Sequence, residues 1–176
     1  MLYILGLYKE TIDGKKMINS NPKGKQQRAS LLESAIYQLS DDVKKETEQF
    51  KIALELVITW VNRILFLKLL EAQLLNYQKG NKEYSFLNID TITDYNELNT
   101  LFFKVLAREP KDREETEKIK YENVPYLNSS LFDKIPSENH YTTISTLKNE
   151  QIDIFYSTVL KDENRHTRKR SQCNNK

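Results

Sequence analysis

The densest chemistry in this sequence is a cationic run near its end. Arg165-His166-Thr167-Arg168-Lys169-Arg170 puts four permanent cations into six residues. Carried by Arg165, Arg168, Lys169 and Arg170, such a run can neutralise nucleic-acid phosphates without reading base sequence. It equally suits a solvated tail beyond the last folded element. A weaker group, Lys15 and Lys16 with Lys23, Lys25 and Arg28, would widen the same footprint. The acidic pairs Asp41-Asp42 and Glu114-Glu115 are adjacent in sequence, which fits helix-start or surface charge better than acid–base work. His140 and His166 stand in polar stretches without a neighbouring nucleophile. With Cys173 as the single cysteine, neither a disulfide framework nor a closed Cys/His metal site can be built. Gly6, Gly14, Gly24 and Gly80 are isolated, so no phosphate-cradling loop is present. No Gly-Xaa-Ser-Xaa-Gly elbow or zinc-binding helix motif occurs either. The expectation is therefore a chain with no catalytic, cofactor-binding or metal-binding residues of its own.

The elements that would position these groups fit one domain, or one piece of a larger protein, in 176 residues. Hydrophobic residues at 39% exceed what a disordered chain carries, while charged residues at 30% make it polar for a globular domain. Net charge is only +2, so charge balance alone argues for no class of partner. The longest apolar stretch, roughly residues 50–75, contains Lys51, Glu55, Arg63, Lys68 and Glu71, too many charges for a bilayer span. The opening Met1-Leu2-Tyr3-Ile4-Leu5 lacks the basic start and small-residue cleavage site of a leader. These features suggest a reducing, cytoplasmic setting and no membrane.

Patterning suggests a mainly α fold: a long buried central helix with shorter packing helices, a small N-terminal β-hairpin and a short C-terminal strand. Residues 2–9 read as one strand, and Lys15 to Ile18 as its return after Asp13-Gly14, with a loop somewhat longer than ideal. A hairpin is marginal alone, so it needs something to pack on; a reading frame opening inside a strand suggests an upstream neighbour. Residues 26–39 space Ala29, Leu32, Ala35, Ile36 and Leu39 as an amphipathic helix. Ser40 then offers an N-cap, with Asp41 and Asp42 at the start of a helix running from residue 41 to Tyr77 and stopped by Gly80. Thr93 or Asp94 caps a third helix carrying Leu98, Leu101, Phe102, Val105 and Leu106 on one face. Pro110 ends it, and the charged residues 110–120 read as a solvated helix or loop. Alternation at Ile152, Ile154 and Tyr156 marks the C-terminal strand. The organisation expected is residues 1–25 as hairpin and polar loop, 26–160 as the helical region, and 161–176 as a basic flexible tail.

On the long helix, Lys51, Glu55, Thr59, Asn62 and Gln73 fall within one arc, a wet stripe, while nearly everything else is apolar. A helix so apolar must be surrounded on most sides, by its own chain or by a domain outside it. Arg63, Lys68 and Glu71 lie off that stripe. They suit snorkelling or pairing, with Lys68 and Glu71 at i,i+3, or, for Arg63 and Glu71, buried contacts to a neighbouring domain.

Two stretches together carry a resemblance. Asn62-Arg63-Ile64-Leu65-Phe66-Leu67-Lys68, within the long helix, resembles the Asn-Arg-hydrophobic-Leu-Phe-hydrophobic-Lys helix of Eco57I-like (type IIG) restriction–modification enzymes. Val124-Pro125-Tyr126-Leu127-Asn128-Ser129-Ser130-Leu131-Phe132 resembles the Pro-Tyr-Leu-Asn-Gly-Gly-Leu-Phe loop of the same family. They occur in the family's order, separated by a helix like that ending in Phe102-Phe103-Lys104-Val105-Leu106, and the likeness covers roughly residues 45–160. Asn62, Arg63, Lys68, Tyr126, Leu127 and Asn128 are the positions matched to the family motifs. The intact family joins an endonuclease to an adenine-N6 DNA methyltransferase, using S-adenosylmethionine and Mg.

The departures bound what the resemblance implies. Ser129-Ser130 replaces the family's Gly pair, so a left-handed turn would be strained and another turn must form. In the family this region precedes the methyltransferase core, and neither the S-adenosylmethionine loop nor the Asn-Pro-Pro-Tyr/Phe motif is present in this sequence. Asn123-Val124-Pro125-Tyr126 is not that motif, having one Pro. The endonuclease's acidic and Lys residues have no counterpart, so no catalytic residue carries over. What the resemblance implies is a non-catalytic helical connector of a restriction–modification enzyme, excised, split or truncated. It would hold missing nuclease and methyltransferase modules in register and touch the DNA backbone. Two alternatives remain: a free-standing helical adaptor, and a non-specific DNA-binding protein using the basic tail.

Overall fold

The computed structural model describes residues 7–20, 30–88 and 90–148. The expected strand near residue 154, the tail with Arg165, Arg168, Lys169 and Arg170, and His166, Cys173, Lys23, Lys25 and Arg28 lie outside the described residues. The described architecture is mainly α, dominated by one long helix, with an antiparallel hairpin at the N-terminal side. Among the described residues no helix is long and apolar enough to cross a membrane.

Strands β1 (Leu7–Ile12) and β2 (Lys15–Ser20) pair with Leu7 opposite Ser20 and Ile12 opposite Lys15. Only Asp13 and Gly14 join them, both at positive φ (51° and 77°), so the connection is tighter than the spacing suggests. A two-residue turn with both centres left-handed matches the natural twist of paired strands, and Asp-Gly tolerates it. Leu7 is buried against the helical core, while Ile12, Met17 and Ile18 remain exposed.

Helix α1 (Leu31–Leu39) is capped by Ser30, whose hydroxyl accepts from the Glu33 N–H at 3.2 Å. Its buried Leu32, Ala35 and Leu39 pack on helix α2 (Glu46–Tyr77) through Ala53, Leu56, Val57 and Trp60. The long helix therefore begins at residue 46 rather than 41. Ser40 closes α1 instead of opening α2: its hydroxyl donates to Tyr37 O at 2.8 Å. Val43 then turns inward and is buried, its N–H bonded to Leu39 O at 2.9 Å. The stop is where the sequence puts it, with Lys79 and Gly80 both left-handed (φ 54° and 82°).

Helix α3 (Tyr95–Thr100) starts on Asp94, which accepts from the Glu97 N–H at 2.8 Å. It runs on as a π-helical segment (Leu101–Leu106) that buries Leu101, Phe102, Val105 and Leu106. The wider turn of a π segment leaves its final carbonyls open to outside donors. One is taken at once: Leu106 O accepts from Leu127 N–H at 2.9 Å. Short helices α4 (Glu115–Lys120) and α5 (Pro136–His140) complete the described part.

Candidate functional site

The segment between α4 and α5, residues 124–133, is a loop held at both ends by buried arginines. At its far end Arg63, fully buried on α2, donates from Nε to Leu131 O at 2.7 Å and from Nη2 to Asp133 O at 2.7 Å. The same guanidinium meets Glu138 of α5 end-on, Nη1 to Oε1 at 2.5 Å and Nη2 to Oε2 at 2.9 Å. Glu138 also accepts from the Trp60 indole at 2.9 Å and from the Ile135 N–H at 3.1 Å, so four donors surround one carboxylate. Phe102 and Phe103 lie 5.5 and 5.0 Å from the guanidinium carbon, adding a cation–π face. A buried charge is tolerated only when paired and hydrogen-bonded, and this one is both.

At the near end Arg113 donates from Nη1 to Tyr121 O at 3.3 Å and Val124 O at 3.0 Å, and from Nε to Arg108 O at 3.3 Å. Among the described residues no carboxylate faces it within bonding distance and its Nη2 has no hydrogen-bond partner, and burial lowers its pKa. Tyr121 is set by its hydroxyl, which donates to Glu97 at 3.0 Å. Burial first, and then the Glu97 carboxylate, push that phenol well above its ordinary range. Glu97 also pairs with Lys120, which ties α4 back to α3.

Midway, the Leu127–Leu106 backbone bond fixes the loop to the π segment. Val124 and Phe132 are buried at its two ends, and Asn128, Ser129 and Ser130 are exposed between them. The serine pair needs no left-handed backbone: Ser129 has φ −141° and its hydroxyl accepts from Leu131 N–H at 3.3 Å, starting a 3-10 turn over Ser130–Phe132. The turn therefore needs no glycine at either position. The result is a rigid loop offering an uncharged, hydrogen-bonding tip.

A third anchor sits further along α2. Lys68 and Glu71 pair at 2.8 Å, and Lys68 also donates to Leu87 O. Glu71 accepts from Leu87 N–H at 2.7 Å and from the Ser85 hydroxyl at 3.1 Å. Burial alone would raise the Glu71 pKa, but the Lys68 bond, the Leu87 amide, the Lys68 charge and Ser85 together hold it below the ordinary carboxylate value. The i,i+3 pairing read from the sequence is therefore present.

Of the six motif positions, Arg63 and Lys68 bind the long helix to other segments, and Leu127 anchors the loop. Asn62, Tyr126 and Asn128 face solvent. Arg63 does not snorkel: it is buried against its own chain. Nor is the charged stretch 110–120 wholly solvated, since Arg113 and Glu117 are buried. Sequence reading missed Glu138, Arg113 and Trp60. The one available hint was Pro136 followed by Glu138, a helix start whose third residue can bond back to the chain entry. Glu114 faces Lys104 at 3.6 Å and Glu115 pairs with Lys118 at 2.7 Å, and among the described residues no group of three or more His, Cys, Asp or Glu side chains is placed to hold a metal ion.

A family model described as a domain of unknown function (DUF7814) matches residues 1–175. No curated protein and no solved structure matches the chain.

Proposed function

We propose, for a chain that belongs to the DUF7814 family, that it is a non-catalytic connector of a DNA restriction–modification system of the Eco57I-like kind. One observation carries the reading: the two stretches that resemble that family meet in a single buried contact. Arg63 of the helix motif bonds Leu131 O near the end of the loop motif and Asp133 O just past it, 2.7 Å in each case. Two residues 68 apart in sequence, one from each pattern, thus serve one structural purpose, which gives a physical reason for both patterns to occur in one chain. The clamp immobilises a loop with an uncharged tip, and rigid presentation suits docking of a neighbouring module more than chemistry.

In this reading the protein works in the cytoplasm and holds nuclease and methyltransferase modules in register. Its basic residues 165–170 touch DNA phosphates, which positions without specifying sequence. S-adenosylmethionine binding, base extrusion and methyl transfer belong to those modules. The free-standing adaptor is the second reading: an adaptor would be monomeric and unfold cooperatively, whereas a connector without its modules exposes apolar helix surface, as Ile58, Leu65 and Leu69 on α2 do.

The test uses the purified full chain with duplex DNA and with S-adenosylmethionine. The connector should bind DNA with an affinity that falls steeply with salt, lose most of it on deletion of residues 165–176, and give no binding heat with S-adenosylmethionine. Methyl incorporation into adenine would overturn the proposal. DNA affinity unchanged by the deletion would remove the tail from it.

A further inference from the structure

The outer face of α2 carries a second pattern, independent of the clamp. Glu55, Ile58, Asn62, Leu65, Leu69 and Ala72 recur at alternating steps of three and four, and every one is exposed. Ile58, Leu65 and Leu69 are 50%, 49% and 67% exposed, a high value for large aliphatic side chains on a helix whose opposite face is fully buried. Lys51 and Asn76 extend the same repeat at either end. Alternating three and four is the heptad of a coiled-coil seam, in which Glu55, Asn62, Leu69 and Asn76 occupy one core position and Lys51, Ile58, Leu65 and Ala72 the other. Such a seam wants a second helix of equal length, and α2 spans 32 residues.

We propose that this seam joins two copies of the chain as an antiparallel α2–α2 pair. Charge decides the direction, and the match of Ile58 to Leu69 under a two-fold axis argues for a second copy as the occupant. A parallel, in-register pair would set Lys51 against Lys51 and Glu55 against Glu55, two layers of like charge. Reversing one helix about the point between Asn62 and Leu65 removes both. Ile58 then meets Leu69 of the second copy, twice by symmetry; Glu55 meets Ala72, and Lys51 meets Asn76. The seam is complementary to itself under a two-fold axis, which is what an isologous interface requires. Its two borders suit the contact: Phe66 on one side is already packed against Phe132, at 6.1 Å between ring centroids, and Lys68 on the other is engaged by Glu71. Asn62 lies near the axis, opposite Leu65 of the second copy, where a polar core residue fixes register at some expense of affinity. Three large aliphatic residues per copy make a small interface, so the dimer dissociates readily.

The test is sedimentation of the full chain carrying Cys173→Ser, over protein concentrations of about 1 to 100 µM. A monomer–dimer equilibrium with no larger species is expected. Leu69→Glu should weaken it by about tenfold or more, while leaving the thermal melt of the monomer unchanged because residue 69 is exposed. Direction is read by oxidation in the same background. Ile58→Cys and Leu69→Cys chains, when mixed, should cross-link to each other, and Ile58→Cys alone should not link to itself. A monomer at every concentration, open-ended association indifferent to Leu69→Glu, or efficient linkage of residue 58 to itself would each overturn the proposal. DNA affinity and methyl transfer report separately on the connector reading, so either idea can fail while the other stands.

Discussion

The two ends of the 124–133 loop are held by the same kind of side chain in opposite ways. Arg63 arrives with a carboxylate of its own: Glu138 neutralises it, Trp60 and Ile135 complete the carboxylate, and two loop carbonyls fill the remaining fork. Arg113 has only carbonyls, leaves one nitrogen unpaired, and has its pKa lowered by burial. The first arrangement is a closed, neutral lock, whereas the second is a charged strap over the chain's surface turn. The difference matters because a buried charge without a counter-charge depends on every bond it makes, and any loosening lets water in to relieve it. The loop is therefore expected to be firm at residues 131–133 and to open first at residues 121–124.

The largest effect should come from the lock. Arg63→Ala and Glu138→Ala each leave the other partner buried and unpaired, and each should lower unfolding free energy by about 3–5 kcal/mol in denaturant titrations. Arg113→Ala should cost less, about 1.5–3 kcal/mol, the range for charge-assisted bonds to carbonyls. Hydrogen exchange should then show faster opening at Tyr121 to Val124 with residues 131–133 still protected. Equal losses at both ends would erase the distinction between lock and strap.

Acid sharpens the comparison at the third anchor. Glu71 has a folded pKa below its ordinary value of 4.5. Its contribution is fully present above that value and is lost as pH falls through the depressed one. Glu71→Gln should flatten that acid-side loss in melts recorded between about pH 5 and pH 2. Tyr121 works the other way: its raised folded pKa means stability is present below the ordinary phenol value of 10.0 and declines as pH rises above it, and Tyr121→Phe should abolish that alkaline slope. The smallest effect is expected at the loop tip. Because Ser129 does not use left-handed backbone, Ser129→Gly gains nothing there and should destabilise by up to about 1 kcal/mol through added freedom of the unfolded chain.

What could be read from the sequence was whatever is decided locally. The stop of α2 at Gly80, the Asp94 cap, the inward face of Leu98 to Leu106 and the Lys68–Glu71 pair each depend on residues within a turn or two. The start of α2 is not legible locally because Ser40 can open one helix or close another, and here its hydroxyl closes α1 on Tyr37 O. Arg63 stood out as a charge off the wet stripe, but its partner lies 75 residues further on, beyond any periodicity. Arg113 and Glu117 were hidden in a run of charges, where composition gives no sign of which side chains turn inward. The outer face of α2 was read as a narrow wet stripe. The structure instead leaves apolar Ile58, Leu65 and Leu69 uncovered within it, which simple charge mapping of the helix does not separate from core.

A double-mutant cycle between Arg63 and Glu138 tests most directly whether helix and loop form one unit. Arg63→Met, Glu138→Met and the pair together would be measured by equilibrium unfolding of the full chain. The closed lock predicts that the double variant loses markedly less than the two single losses added, with a coupling of about 2 kcal/mol or more, since removing both charges leaves neither stranded. Single losses that simply add would mean that Arg63 and Glu138 act independently and that no lock joins the two motifs.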